Sequence, residues 1–145
     1  ITMDARIFKE EPMGLLDDLL NVNLADRVSY EAQRNMMFVN LEGWSIKKKQ
    51  DVEDLTRVLE DACKKTGRKV KSIVNQNGFR VAEDLYEDYM KSVVYLLKRY
   101  SLTTAHFSTS AFMRLKMQEA LSSRSLRPHI FETSEEARLA LEETA

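Results

Sequence analysis

Apolar side chains recur at three- and four-residue steps in two long stretches of the chain. The short stretches around them show two-residue or continuous apolar spacing instead. Over residues 51–66, Val52, Leu55, Val58, Leu59 and Ala62 fall on one stripe, which predicts an amphipathic helix. Lys64 and Lys65 suit its negative end, and Gly67 is placed as its C-cap. Over residues 82–99, Leu85, Tyr86, Tyr89, Met90, Val93, Leu96 and Leu97 predict a second helix with a wide apolar face, which Tyr100 extends. Glu83, Asp84, Glu87 and Asp88 crowd its positive end, while Lys98 and Arg99 close it. Full burial of Leu85 and Leu97 in that face would make each alanine truncation cost about 2–5 kcal/mol.

The shorter stretches read as strands. Val28 and Tyr30 alternate with polar neighbours, Ala32-Gln33-Arg34-Asn35 supply a turn, and Met36-Met37-Phe38-Val39-Asn40-Leu41 returns as a strand covered on both faces. Gly43 permits a sharp exit. Val70, Ile73 and Val74 mark a strand that stops on the amide-rich turn Asn75-Gln76-Asn77-Gly78, between the two long helices. Thr103-Thr104-Ala105-His106-Phe107 is β-prone, and Ser108-Thr109-Ser110 offers N-cap hydroxyls for a helix over residues 111–121. A last strand at Pro128-His129-Ile130-Phe131 precedes a helix carrying Ala137, Ala140 and Leu141, with Thr133 and Glu136 at capping-box spacing. The order ββαβαβαβα predicts an α/β domain with a mixed five-stranded sheet, four helices and right-handed parallel crossovers. The turn after the central strand then lies where α/β domains usually bind ligands.

Residues 1–26 are irregular yet apolar, with Ile7, Phe8, Met13, Leu15, Leu16, Leu19 and Leu20. They are expected to form an arm lying on the domain or on a neighbour, which makes self-association through them plausible. The domain proper is placed at residues 27–145. The opening Ile1-Thr2-Met3 suggests a piece of a longer polypeptide.

Composition narrows the function classes. The 145 residues are 43% hydrophobic and 31% charged, with a formal net charge of -1, which gives no reason to expect nucleic acid or an anionic membrane as partner. No apolar run spans a bilayer and no signal-peptide pattern opens the chain, so a cytoplasmic location is expected. One cysteine excludes an internal disulfide and a multi-cysteine metal site.

Candidate chemistry is sparse. Cys63 shares the apolar stripe of the first long helix, where a thiol is more often a core side chain than a nucleophile. His106 and His129 lie on separate predicted strands without a metal-ligand pattern, and no GxSxG, P-loop or dinucleotide fingerprint occurs. Lys47-Lys48-Lys49 reads as a solvated loop. Glu42 ends an apolar strand before Gly43, but a lone Glu-Gly pair supplies neither an oriented acyl group nor oxyanion donors. Ser108, Thr109, Ser110 and Arg114 form the best candidate anion site, hydroxyls and free N–H groups at a helix start with an arginine one turn on. A capping cluster explains the same residues. Asn75 and Asn77 are a second candidate, at a favourable place in the fold but without an ionisable group. Neither a catalytic nor a metal-binding set is assigned.

Two resemblances attach to these residues. The element order over residues 27–143, closing on His129-Ile130-Phe131-Glu132-Thr133 and its helix, resembles STAS domains and their SpoIIAA-like relatives. In regulatory STAS proteins a phosphorylatable serine precedes the second long helix. Asn75-Gln76-Asn77-Gly78-Phe79 has no hydroxyl there, so that switch is not carried over. The second resemblance is closer. Met3-Asp4-Ala5-Arg6-Ile7-Phe8 and Pro12-Met13-Gly14-Leu15 resemble the end of the catalytic part of family I acyl-CoA:acetate/3-ketoacid CoA-transferases of the propionate type. Phe38-Val39-Asn40-Leu41-Glu42-Gly43, Ile73-Val74-Asn75, Thr109-Ser110-Ala111-Phe112 with Arg114 and Lys116, and Pro128-His129-Ile130-Phe131-Glu132 are similar to the additional C-terminal domain of the long form.

That resemblance implies a parent enzyme that moves coenzyme A between acyl-CoA and a carboxylic or 3-keto acid through a glutamyl-CoA thioester. The glutamate lies in the two large catalytic lobes, and no position here matches it. The chain is therefore expected to be a non-catalytic C-terminal domain serving assembly or regulation. Its partners would be those lobes, and its own cofactor none. The alternative is a free-standing STAS-like module for a protein or small anion.

Overall fold

The computed structural model describes residues 24–143, so almost all of the arm expected over residues 1–26, and any self-association through it, lies outside the described residues. After a 3₁₀ turn at Leu24–Arg27, β1 (Val28–Glu31) and β2 (Met36–Asn40) form the expected antiparallel hairpin, with Tyr30 opposite Met37. Asn35 takes the left-handed conformation that the tight turn needs, at φ 53°. The Tyr30 hydroxyl donates to its Oδ1 at 2.8 Å.

β2 lies parallel to β4 (Val70–Asn75), β4 to β6 (Ser101–Phe107), and β6 to β7 (Ile130–Phe131), giving a mixed sheet in the order β1-β2-β4-β6-β7. Four helices join these strands: α1 (Lys49–Thr66), α2 (Tyr86–Tyr100), α3 (Ala111–Ser122) and α4 (Ser134–Glu142). The expected five strands and four helices are all present. A second sheet was not anticipated. It pairs β3 (Ser45–Ile46) with β5 (Arg80–Val81), each only two residues long and, unlike the equally short β7, not followed in the sequence by a Ser/Thr-x-x-Glu capping-box signal.

Strand periodicity sorts the core into two layers. Met37, Val39, Leu41 and Val70 join Val52, Leu55, Tyr89, Met90, Ala120 and Leu121 in the larger cluster. Met36, Ile73, Ala105 and Phe107 turn the other way, onto Ala137 and Leu141 of α4. Because β2, β4, β6 and β7 step in one direction across the sheet, right-handed crossovers bring α1, α2 and α3 to a single face. Strand order therefore never reverses among the parallel strands. The crevice usually found at such a reversal in α/β domains has no counterpart here.

Helix ends follow the local sequence. Asp51 accepts from the backbone N–H groups of Lys47 and Lys48 at 2.8 and 3.1 Å, which starts α1 two residues before the periodicity does. The lysine run is thereby divided, with Lys49 opening the helix. Thr133 and Glu136 form the expected capping box of α4. Gly67 ends α1 at φ 72°, its N–H donating to the Lys64 carbonyl. A Cβ there would meet no atom within 4 Å, so only backbone strain opposes substitution. Gly67→Ala is expected to cost about 1–2 kcal/mol in urea unfolding, and Gly67→Asn clearly less.

The second long helix begins later than its pattern suggests, because Glu83–Leu85 is a 3₁₀ turn and the α-helix opens at Tyr86. Leu85 and Leu97 are only partly buried, and Tyr89 and Met90 hold the buried positions. The 2–5 kcal/mol expected for truncating either leucine accordingly passes to Met90→Ala.

Candidate functional site

Parallel pairing of β2, β4 and β6 brings their carboxyl ends side by side, and the loops that follow carry most of the polar residues singled out in the sequence. Asn75 faces the loop after β2, its Nδ2 donating to Glu42 Oε1 at 2.9 Å and to Asn40 Oδ1 at 3.2 Å. Its Oδ1 accepts from the backbone N–H of Asn77 at 2.9 Å. Asn77 reaches the other way. Its Oδ1 accepts from the backbone N–H of Thr109 at 2.7 Å and from the Thr109 hydroxyl at 3.2 Å. The two candidate clusters, Asn75 with Asn77 and Ser108–Ser110 with Arg114, thus form one continuous polar edge.

Along that edge the groups hold one another. Ser108 is buried, and its hydroxyl accepts from the Ser110 N–H at 3.2 Å. Ser110 is the N-cap of α3, taking the Met113 N–H at 3.2 Å. Arg114 turns back to donate from Nη1 to the Ser108 carbonyl at 2.8 Å. Arg27 Nη1 likewise spans the carbonyls of Asn40 and Glu42. The hydroxyls and amides here act as staples between adjacent loops. Asn77→Ala, which removes the acceptor shared by two Thr109 donors, is expected to lower stability by about 1 kcal/mol. Amide exchange at Thr109 should quicken in the same variant.

Beneath the edge lie the buried polar groups. Gln76, immediately after β4, is 3% exposed, and His106, on β6, is 6% exposed. The Gln76 Nε2 stands 3.1 Å from His106 Nδ1. With the amide donating, Nδ1 is bare and the ring proton resides on Nε2. Burial holds the imidazole pKa down at about 4, with a smaller push from His129. Tyr89 on α2 lies in the same region, its phenol pKa raised by burial. Gln76 is the residue that sequence reading missed. Its neighbours on the amide turn drew attention, but only the parallel register places it under His106.

The remaining candidates stand apart. Cys63 is buried on α1, its thiol 3.8 Å from Met37 Sδ and its pKa raised by burial, so the reactive thiolate is disfavoured. Among the described residues neither histidine hydrogen-bonds a serine, threonine or cysteine side chain. No three His, Cys, Asp or Glu side chains among them converge as metal ligands, and no helix among them is long and apolar enough to cross a membrane. Comparison with protein-family models, with curated proteins and with solved structures returned no match.

Proposed function

We propose that this domain is a non-catalytic accessory module of an acyl-CoA:carboxylate CoA-transferase, serving the assembly or regulation of the catalytic lobes. The observation that carries the non-catalytic half is the separation of nucleophile from base: Cys63 packs against a thioether, and His106, kept neutral by burial, pairs with the Gln76 amide instead. A thiol or hydroxyl nucleophile for acyl transfer needs activation by a neighbouring base or by a lowered pKa.

The transferase half rests on the residue resemblance, and one structural feature bears on it. Within Thr109-Ser110-Ala111-Phe112, Ser110 caps a helix, but Phe112 is 72% exposed and contributes little to the core. A large apolar side chain that its own domain does not need suits contact with another part of a larger protein.

The test measures CoA transfer from propionyl-CoA to acetate by the native polypeptide that contains these residues. Transfer by that polypeptide, changed in rate or assembly when residues 27–143 are deleted, is the expected result. A native polypeptide with no transferase activity would sink the reading.

A further inference from the structure

His106 borders a cavity of about 250 Å³ between α2 and α3, with Phe79, Met90 and Met117 in its walls. A larger cavity, of about 350 Å³, opens at the amino end of β6, away from the polar edge. Leu97, Leu102, Leu121 and Leu126 give it apolar walls, and Lys98, Arg127 and His129 stand around it. Leu102 is 59% exposed. Lys98 and Arg127 are exposed as well, whereas His129 is half-buried.

Both α2 and α3 end beside this cavity, and the partly negative carbonyl end of a helix ordinarily answers nearby cations. Here those carbonyls already have donors. The Leu97 carbonyl accepts from the Ser101 N–H, and the Lys98 carbonyl accepts from Lys69 Nζ at 3.4 Å. The Ala120 carbonyl takes Arg124 Nη1, and the Leu121 carbonyl takes the Leu126 N–H, both at 2.9 Å. Positive charge is left in surplus. Among the described residues no carboxylate lies within salt-bridge distance of Lys69, Lys98 or Arg127. The imidazole registers that surplus. Burial first, and then the Arg127 guanidinium, hold the His129 pKa down, and His129 in turn pushes on His106.

From this arrangement we infer that the cavity at the amino end of β6 binds a short aliphatic carboxylate. Its chain lies against the four leucines, and its acid group lies among Lys98, Arg127 and His129. The walls hold no phenyl, phenol or indole ring, which suits an aliphatic chain. A guanidinium fork matches the two oxygens of a carboxylate. A cavity of roughly 150 Å³ accommodates benzene, so this one has room for about ten non-hydrogen atoms. The inference is independent of the transferase reading, since it needs only the described residues. Hexanoate is the matched probe, 1-hexanol lacks the charge, and acetate lacks the chain.

The experiment is a titration of the full 145-residue chain with each compound, followed by the ring resonances of His129 and His106. Saturable shifts at His129 are expected with hexanoate, at a Kd of about 5 mM or tighter. The His129 pKa should rise in the complex, because a carboxylate beside the ring favours its charged form. 1-Hexanol should bind about fivefold more weakly. Acetate should not saturate below about 100 mM, since it has no chain for the leucines to cover. Arg127→Glu and Leu102→Glu both alter exposed side chains, so neither threatens the fold, and each should weaken hexanoate at least about fivefold. No saturation by about 50 mM, equal binding of 1-hexanol, an unraised His129 pKa, or unchanged affinity in Arg127→Glu would each overturn the inference.

Discussion

Phe79→Ala is expected to destabilise the domain by about 4 kcal/mol, a large share of the roughly 5–15 kcal/mol that holds a domain together. Phe79 is 2% exposed and lies between two rings, Trp44 at 6.1 Å and Tyr89 at 5.4 Å between centroids. Truncation removes the transfer energy of the ring and both aromatic contacts, each contact worth about 1 kcal/mol. The space left cannot close easily, because Phe79 also forms a wall of the cavity between α2 and α3. It is fixed from behind as well. Gly78 precedes it at φ 67°, and a Cβ there would stand 3.4 Å from the Gly43 backbone nitrogen, so the two loops already touch. Urea unfolding at pH 7 checks the size of the effect. Phe112→Ala, at a 72% exposed position, should stay within about 0.5 kcal/mol of the parent. Similar small effects in both variants would mean that the Trp44–Phe79–Tyr89 stack does not organise the core.

Acid is expected to weaken the fold through His106. The ring's pKa falls from 6.5 to about 4 on folding, so between those values the unfolded chain binds more protons than the folded one. The stabilisation is fully present above pH 6.5 and is lost progressively as pH falls to about 4, below which the loss levels off. At about 1.4 kcal/mol per unit, the shift corresponds to about 3 kcal/mol. His129, lowered by burial and by Arg127, acts in the same direction, so the wild-type slope alone does not isolate His106. The comparison with His106→Gln does. That variant should be less stable at pH 7, since Gln76 loses its partner, yet its stability should decline much less between pH 6.5 and 4.5. An unchanged slope in His106→Gln would place the acid sensitivity elsewhere.

Much of this fold was legible because its long elements obey one period each. The stripe through Val52, Leu55 and Val58 and the run from Met36 to Val39 admit a single structural reading, and the Thr133–Glu136 box marks a helix start by itself. Leu85 and Leu97 show where periodicity stops informing. A wide apolar face contains more positions than the sheet can cover, and which of them are buried depends on the packing angle. β3 and β5 were illegible because two residues carry no period; β7 is as short, but the Thr133–Glu136 capping box that follows it marked its place.

The candidate site divides in the same way. Asn77, Ser108 and Ser110 were visible as turn and cap chemistry, which is local. Their union into one edge required the parallel register between β4 and β6, where Asn75 stands opposite Phe107. Gln76 and His106 are 30 residues apart in sequence, and no spacing rule connects them. The cavities beside α2 and α3 belong to the same class of fact. Their linings come from both helices and from the ends of strands, and nothing in either helix alone marks them.

The central proposal is that the described residues carry no acyl-transfer machinery of their own. Intact-mass spectrometry of the 145-residue chain, after incubation with propionyl-CoA and acetate, addresses it most directly. The account predicts the unmodified mass, with propionyl-CoA undepleted. A propionyl or CoA adduct, mapped to Cys63, Ser108, Glu42 or any other described residue, would contradict it.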